Sequence, residues 1–115
     1  MTFINLWFAE CQPCINEISH LNKLKEEFDD KVEFVSVCRY DIQQEFIDKH
    51  AYNFRHLKVN KDSVEYWFPN VGYPTNYIED RNSKIIYVIK GVVNKPKEIA
   101  VWNNKIKAVF NSQLK

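Results

Sequence analysis

The sequence predicts an α/β domain with a central mixed sheet flanked by helices. Three observations predict it. The chain opens as strand, helix, strand; two β-rich runs follow as a hairpin; an amphipathic helix closes it. With 115 residues the chain forms one domain spanning 1–115, without repeat, low-complexity tract or linker.

Thr2 to Phe8 (TFINLWF) is almost wholly apolar, as in a strand buried on both faces. From Cys14 to Phe28 the apolar residues Cys14, Ile18, Leu21, Leu24 and Phe28 share one helical face. Glu17, Lys23, Lys25 and Glu26 are then expected to face water. Asp29-Asp30 ends the helix, and Val32 to Val37 (VEFVSV) is a second strand. The intervening crossover is long enough for a parallel pair. Asp41, with Gln44 as reciprocal partner, is expected to cap a short second helix that ends near His50 or Ala51. Asn53 to Asn60 reads as loop and a short extended piece, and Asp62 to Phe68 as helical turns stopped by Pro69. Thr75 to Glu79 and Lys84 to Ile89, separated by Asp80-Arg81-Asn82-Ser83, signal a hairpin. Gly91 breaks the second run. Pro96 suits the first turn of a last helix with an apolar stripe of Ile99, Trp102, Ile106, Val109 and Phe110.

The bulk properties exclude several functions. A hydrophobic fraction of 45% with 27% charged residues supports a real core and argues against disorder. The net charge of +1 offers no field for nucleic acid or an anionic membrane surface. No apolar run approaches the ~20 residues that span a bilayer, so no membrane contact is expected of this segment. No secretory leader is visible, and a strand beginning at the second residue suggests a cytoplasmic or a cropped chain. Two glycines exclude a glycine-rich phosphate loop.

Cys11-Gln12-Pro13-Cys14 carries the chemistry. Cys11 falls at the start of the first helix, where unpaired backbone N–H groups and the helix dipole favour negative charge. A thiolate there should ionise below the ordinary cysteine value of about 8.5. Cys14 lies one turn on, on the buried side, and Pro13 costs the first turn no hydrogen bond. This suits attack of a Cys11 thiolate on a disulfide, followed by resolution by Cys14. A zinc half-site would need a second ligand pair, but Cys38, His20, His50 and His56 are scattered singly. A purely structural staple would close a very short loop, where a disulfide stabilises least. Of the three readings, a C-x-x-C in a strand–helix–strand context points to redox. Cys38 reads as core packing. Trp67 and Phe68 read as core or loop packing, or as an apolar rim around the dithiol.

FINLWFAECQPCINEI resembles the strand, active-site turn and helix of the thioredoxin-fold superfamily. It is most similar to the TlpA/ResA-like thiol–disulfide oxidoreductases: Asn5 in the first strand, Trp7-Phe8 before the motif, C-x-P-C, and Glu17 three residues after the second cysteine. VGYPTNYIEDRNSKIIYVIKG resembles the family's distant G-x-P-T segment and the strand after it. The resemblance implies a thioredoxin-like three-layer fold and a dithiol that needs no metal or organic cofactor. It implies a protein disulfide as substrate, a thiol protein as electron donor and an extracytoplasmic setting. It also implies a cis Tyr73–Pro74 bond facing the dithiol, and a substrate surface of Glu10, Gln12, Pro13, Tyr73 and Pro74, with Gly72 and Thr75 shaping the turn.

Three departures from the family pattern matter. Asn5 stands where ordinary thioredoxins carry a buried acid; Glu17 is either its replacement as proton acceptor or a solvated helix charge. Glu10 replaces the usual tryptophan, opposes the Cys11 thiolate, should make the dithiol more reducing or slower, and favours basic substrates. The family's N-terminal strand or hairpin does not precede Phe3, so a cropped chain with a less protected sheet edge is expected. Two other functions fit less well. A peroxiredoxin-type peroxidase would need a threonine three residues before Cys11, where Phe8 stands. A non-catalytic binding module would leave the intact motif without a role.

Overall fold

The structure, a computed structural model, describes residues 1–40, 43–91 and 95–114. Its elements run β1 (Thr2–Trp7), α1 (Gln12–Phe28), β2 (Glu33–Cys38), α2 (Gln44–His50), β3 (Arg55–Leu57), α3 (Lys61–Trp67), β4 (Thr75–Glu79), β5 (Ile85–Lys90) and α4 (Pro96–Gln113). The strands form one mixed sheet in the order β3-β2-β1-β4-β5. β1, β2 and β3 run parallel, and β4 and β5 add antiparallel. β1 is thus central, which explains its apolar character on both faces.

The two faces are covered unequally. Phe3, Trp7, Phe34, Cys38 and Ile78 pack under α1, α2 and α4 in the larger core. Leu6, Val37 and Tyr77 pack on the other face against Val64 of α3. Phe110 of α4 fastens the larger core: its ring lies 4.9 Å from Phe28, 6.0 Å from Phe34 and 6.1 Å from Phe3. Phe110→Ala is expected to destabilise the domain by about 3–5 kcal/mol through lost burial and a residual cavity. Urea denaturation would show this as a lower midpoint with an unchanged slope.

One row of the larger core is polar. His56 in β3, Ser36 in β2, Asn5 in β1 and Asn76 in β4 are register neighbours across four strands. Asn5, Ser36 and Asn76 are buried. This row passes beneath α1 and bears on the site.

Several local expectations change. The expected cap at Asp41 lies outside the described residues, as does Ile42; α2 starts after Gln43 in the N-cap position, and Gln44 donates to Asp48 at 2.9 Å. Asn60 caps α3, its side-chain oxygen accepting the Ser63 N–H at 2.8 Å. The hairpin closes on Asp80, whose carboxylate accepts the N–H groups of Asn82 at 2.8 Å and Lys84 at 3.0 Å. Trp67 is 58% exposed and is no part of the core. α3 spans 7 residues and turns only Val64 fully inward.

Candidate active site

The motif is built by the turn between β1 and α1. Cys11 N–H donates to Phe8 O at 3.2 Å, and Ile15 N–H donates to Cys11 O at 3.1 Å. Cys11 is the N-cap of α1, and its sulfur accepts the Cys14 N–H at 3.3 Å. The helix start therefore presents a donor to that sulfur, the arrangement that favours a thiolate once the pair is reduced. Cys11 and Cys14 are joined as a disulfide, with Cα atoms 5.2 Å apart. Gln12 and Glu10 are exposed beside them and Pro13 is half-buried. Gln12 donates to Asn16 at 2.9 Å along the helix.

Glu17 departs from the water-facing position expected of it: it is 0% exposed. Its place is set by helical spacing, three residues after Cys14 and four before Leu21, both buried on the same face. Oε1 accepts the Asn76 Nδ2–H at 2.8 Å. Burial pushes its carboxyl up to about 8, while the Asn76 hydrogen bond pulls the other way. A buried acid of this kind is neutral or charged according to small changes near physiological pH.

The Tyr73–Pro74 bond is cis. Thr75 Oγ1 donates to Gly72 O at 2.7 Å, and Gly91 N–H donates to Pro74 O at 3.2 Å, so the turn is held at both ends. Gly72 shapes it only through that carbonyl, since a Cβ there would meet nothing within 4 Å. Gly91 itself has φ +94°, which explains why a glycine stands there.

Aromatic contacts join this loop to the motif. Phe8 meets Tyr73 edge-on at 5.4 Å and Tyr40 at 5.7 Å. The Arg39 guanidinium lies 5.3 Å from the Tyr40 ring and 5.5 Å from the Tyr73 ring. Arg39, Glu65, Phe68 and Tyr73 line a cavity of about 410 Å³ beside the loop. Arg39 and Tyr40 were not singled out from the sequence. Their place just past the carboxyl end of β2, next to that of β1, was the available signal.

The remaining candidates are dispersed. Cys38 is buried at the end of β2. The His50 ring packs tilted against Phe46, 4.4 Å away. Burial lowers the pKa of His56, which bonds Tyr52 O at 3.0 Å and Ser36 Oγ. His20 is half-buried, its pKa lowered by burial and then by Lys23.

Sheet order, cis-proline loop and a dithiol capping the first helix define a thioredoxin-fold domain of the C-x-x-C type. No family model matches the sequence. Thioredoxin-like protein YneN of Bacillus subtilis is 30% identical over 98 residues, covering 80% of this chain and 57% of YneN. Thiol-disulfide oxidoreductase ResA of Bacillus thuringiensis is 24% identical over 93 residues, covering 77% of this chain and 54% of ResA. The chain thus spans a little over half the length of these curated relatives. Among solved structures, a putative thiol:disulfide interchange protein DsbE from Chlorobium tepidum superposes with TM-score 0.79 at 20% identity, covering 95% of this chain and 79% of that one, a likeness of fold. The chain thus has the thioredoxin fold and is similar in sequence to YneN and to the thiol-disulfide oxidoreductase ResA.

Proposed function

We propose that this domain is a thiol–disulfide oxidoreductase that reduces protein disulfides, taking its electrons from another thiol protein. The Cys11 thiolate attacks one sulfur of the substrate disulfide, forming a mixed disulfide and releasing the other sulfur as a thiolate. Cys14 gives up its proton to Glu17 and attacks Cys11 Sγ. The second substrate sulfur leaves as a thiolate, which takes up a proton, and Cys11 and Cys14 end as a disulfide. Two electrons pass to the substrate. Tyr73 and Pro74, together with Glu10, Gln12 and Pro13, receive the peptide that carries the disulfide.

The observation that carries this reading is the Cys11–Cys14 pair at the start of α1, with the buried Glu17 carboxyl one turn further along. The family resemblance supports an extracytoplasmic setting; among the described residues no helix is long and apolar enough to cross a membrane. The test is the redox equilibrium of the pair against glutathione, read by alkylation and mass. A potential near about −270 mV is expected of a reductant. A value near about −120 mV would reverse the direction of electron flow. A pair that never bonds at any poise would remove the enzymatic reading.

A further inference from the structure

Behind Glu17 lies a buried chain of hydrogen bonds. Glu17 Oε1 accepts from Asn76 Nδ2 at 2.8 Å, Asn76 Oδ1 accepts from Asn5 Nδ2 at 2.7 Å, and Asn5 Oδ1 accepts the Tyr52 hydroxyl proton at 2.7 Å. None of the four residues is more than 2% exposed. Each carboxamide has one donor end and one acceptor end, so the chain has a polarity.

Tyr52 is held so that its hydroxyl has a fixed aim. Its N–H donates to Ile47 O at 3.2 Å, and its carbonyl accepts from His56 Nε2 at 3.0 Å. Its ring packs 5.4 Å from Trp7, 4.9 Å from Phe54 and 4.7 Å from His56. A phenol hydroxyl is a stronger donor than a carboxamide N–H, and a carboxamide oxygen is the better acceptor. The hydroxyl therefore favours the sense in which it donates, and both amides follow. In that sense Asn76 always offers an N–H to Glu17, and Oε1 can accept it whether the acid is charged or neutral. The reverse sense would present Asn76 Oδ1 and serve only a protonated Glu17. With Oε1 committed, the proton belongs on Oε2, which is buried and makes no hydrogen bond to the described residues.

We propose that Tyr52, Asn5 and Asn76 are positioning residues: a one-way hydrogen-bond chain that fixes Glu17 Oε1 as an acceptor and reserves Oε2 as the oxygen that exchanges the proton. This rests on the reading of Glu17 as the proton acceptor for the dithiol. The titratable groups around it are Cys14 and His20 on its own helix, Tyr52 from the segment after α2, and Cys38 at the end of β2. Cys38 and Glu17 both act on Tyr52. Asn5 and Asn76, from β1 and β4, are neutral.

The test follows the Glu17 side-chain carboxyl by NMR in the reduced protein between pH 5 and 10, with Glu17→Gln identifying the resonance. The wild-type midpoint is expected near 8. In Tyr52→Phe the reverse polarity becomes accessible to the protonated acid, and the midpoint should rise by about one pH unit. An unchanged midpoint in a folded Tyr52→Phe protein overturns the chain. Should that variant not fold, the wild-type side-chain amides decide. The Nδ2 resonances of Asn5 and Asn76 should titrate with Glu17 while Asn76 Nδ2 stays hydrogen-bonded on both sides of the midpoint. An amide reversal across the midpoint overturns the proposal. Neither readout uses exchange activity, so they stand even if Glu17→Gln leaves the pH profile of exchange unchanged, the result that would remove the relay reading instead.

Discussion

Cys14→Ser is expected to leave the protein joined to its substrate. Cys11 keeps its place at the helix N-terminus, where the residue 14 N–H points at its sulfur. It can still attack, but the sulfur that resolves the mixed disulfide is gone. The expected result is a mixed disulfide stable under non-reducing electrophoresis and dispersed by dithiothreitol. Cys11→Ser should reduce exchange to the uncatalysed rate and trap nothing. Both variants should remain folded. Cys11 and Cys14 are 3 apart in sequence, and the chain-entropy relation gives such a small loop about 2 kcal/mol. Equal trapping by both variants would contradict the division of labour between the two sulfurs.

Glu17→Gln is expected to act on both rate and stability, with opposite signs. Removing a proton acceptor should slow resolution of a preformed mixed disulfide by about 10²-fold near pH 7 to 8, the low end for positioned acid–base groups. Stability responds differently. The folded-state value of about 8 lies above the ordinary 4.5, so the native state holds a proton that the unfolded chain releases. The resulting stabilisation is fully present below pH 4.5, falls as pH rises, and is gone above about 8. The loss attributable to this one group is on the order of 5 kcal/mol by linkage. Glu17→Gln lacks that dependence, so its stability should overtake wild type in alkaline solution. Urea titrations at pH 5, 7 and 9 would show it; parallel losses in both proteins would remove Glu17 as the cause.

The elements were legible because each is announced locally. The apolar run of β1, the stripe of α1, the hairpin before and after Asp80 and the proline opening α4 all sit where the pattern puts them. The dithiol was legible for the same reason: the motif and its helix are contiguous. Glu17 was legible only in part: the family resemblance marked it as a candidate proton acceptor one turn after Cys14, but its charge argued equally for water. The group that satisfies it, Asn76, lies 59 residues away. Asn5 stood out only as a departure from a family pattern, because its meaning depends on register with β4. Tyr52 lies just past a helix end, and no local pattern says that its hydroxyl reaches β1. Trp67 erred in the other direction: a large aromatic suggests burial, but a helix of 7 residues has room for only one inward face.

The polar row across the sheet has a further consequence, for how the strands find one another. Asn5 stands opposite Ser36 and Asn76 only in the native alignment. Slipping β1 by two residues keeps the same face inward but sets Asn5 against Phe34 or Cys38 on one side and Ile78 or Pro74 on the other, stranding a buried amide among groups that cannot bond it. An all-apolar row would tolerate such a slip at little cost. These few amides thus act as an alignment key in a sheet whose central strand is otherwise nearly uniform in hydrophobicity, and the same groups that tune the acid also dictate which pairing of the chain survives.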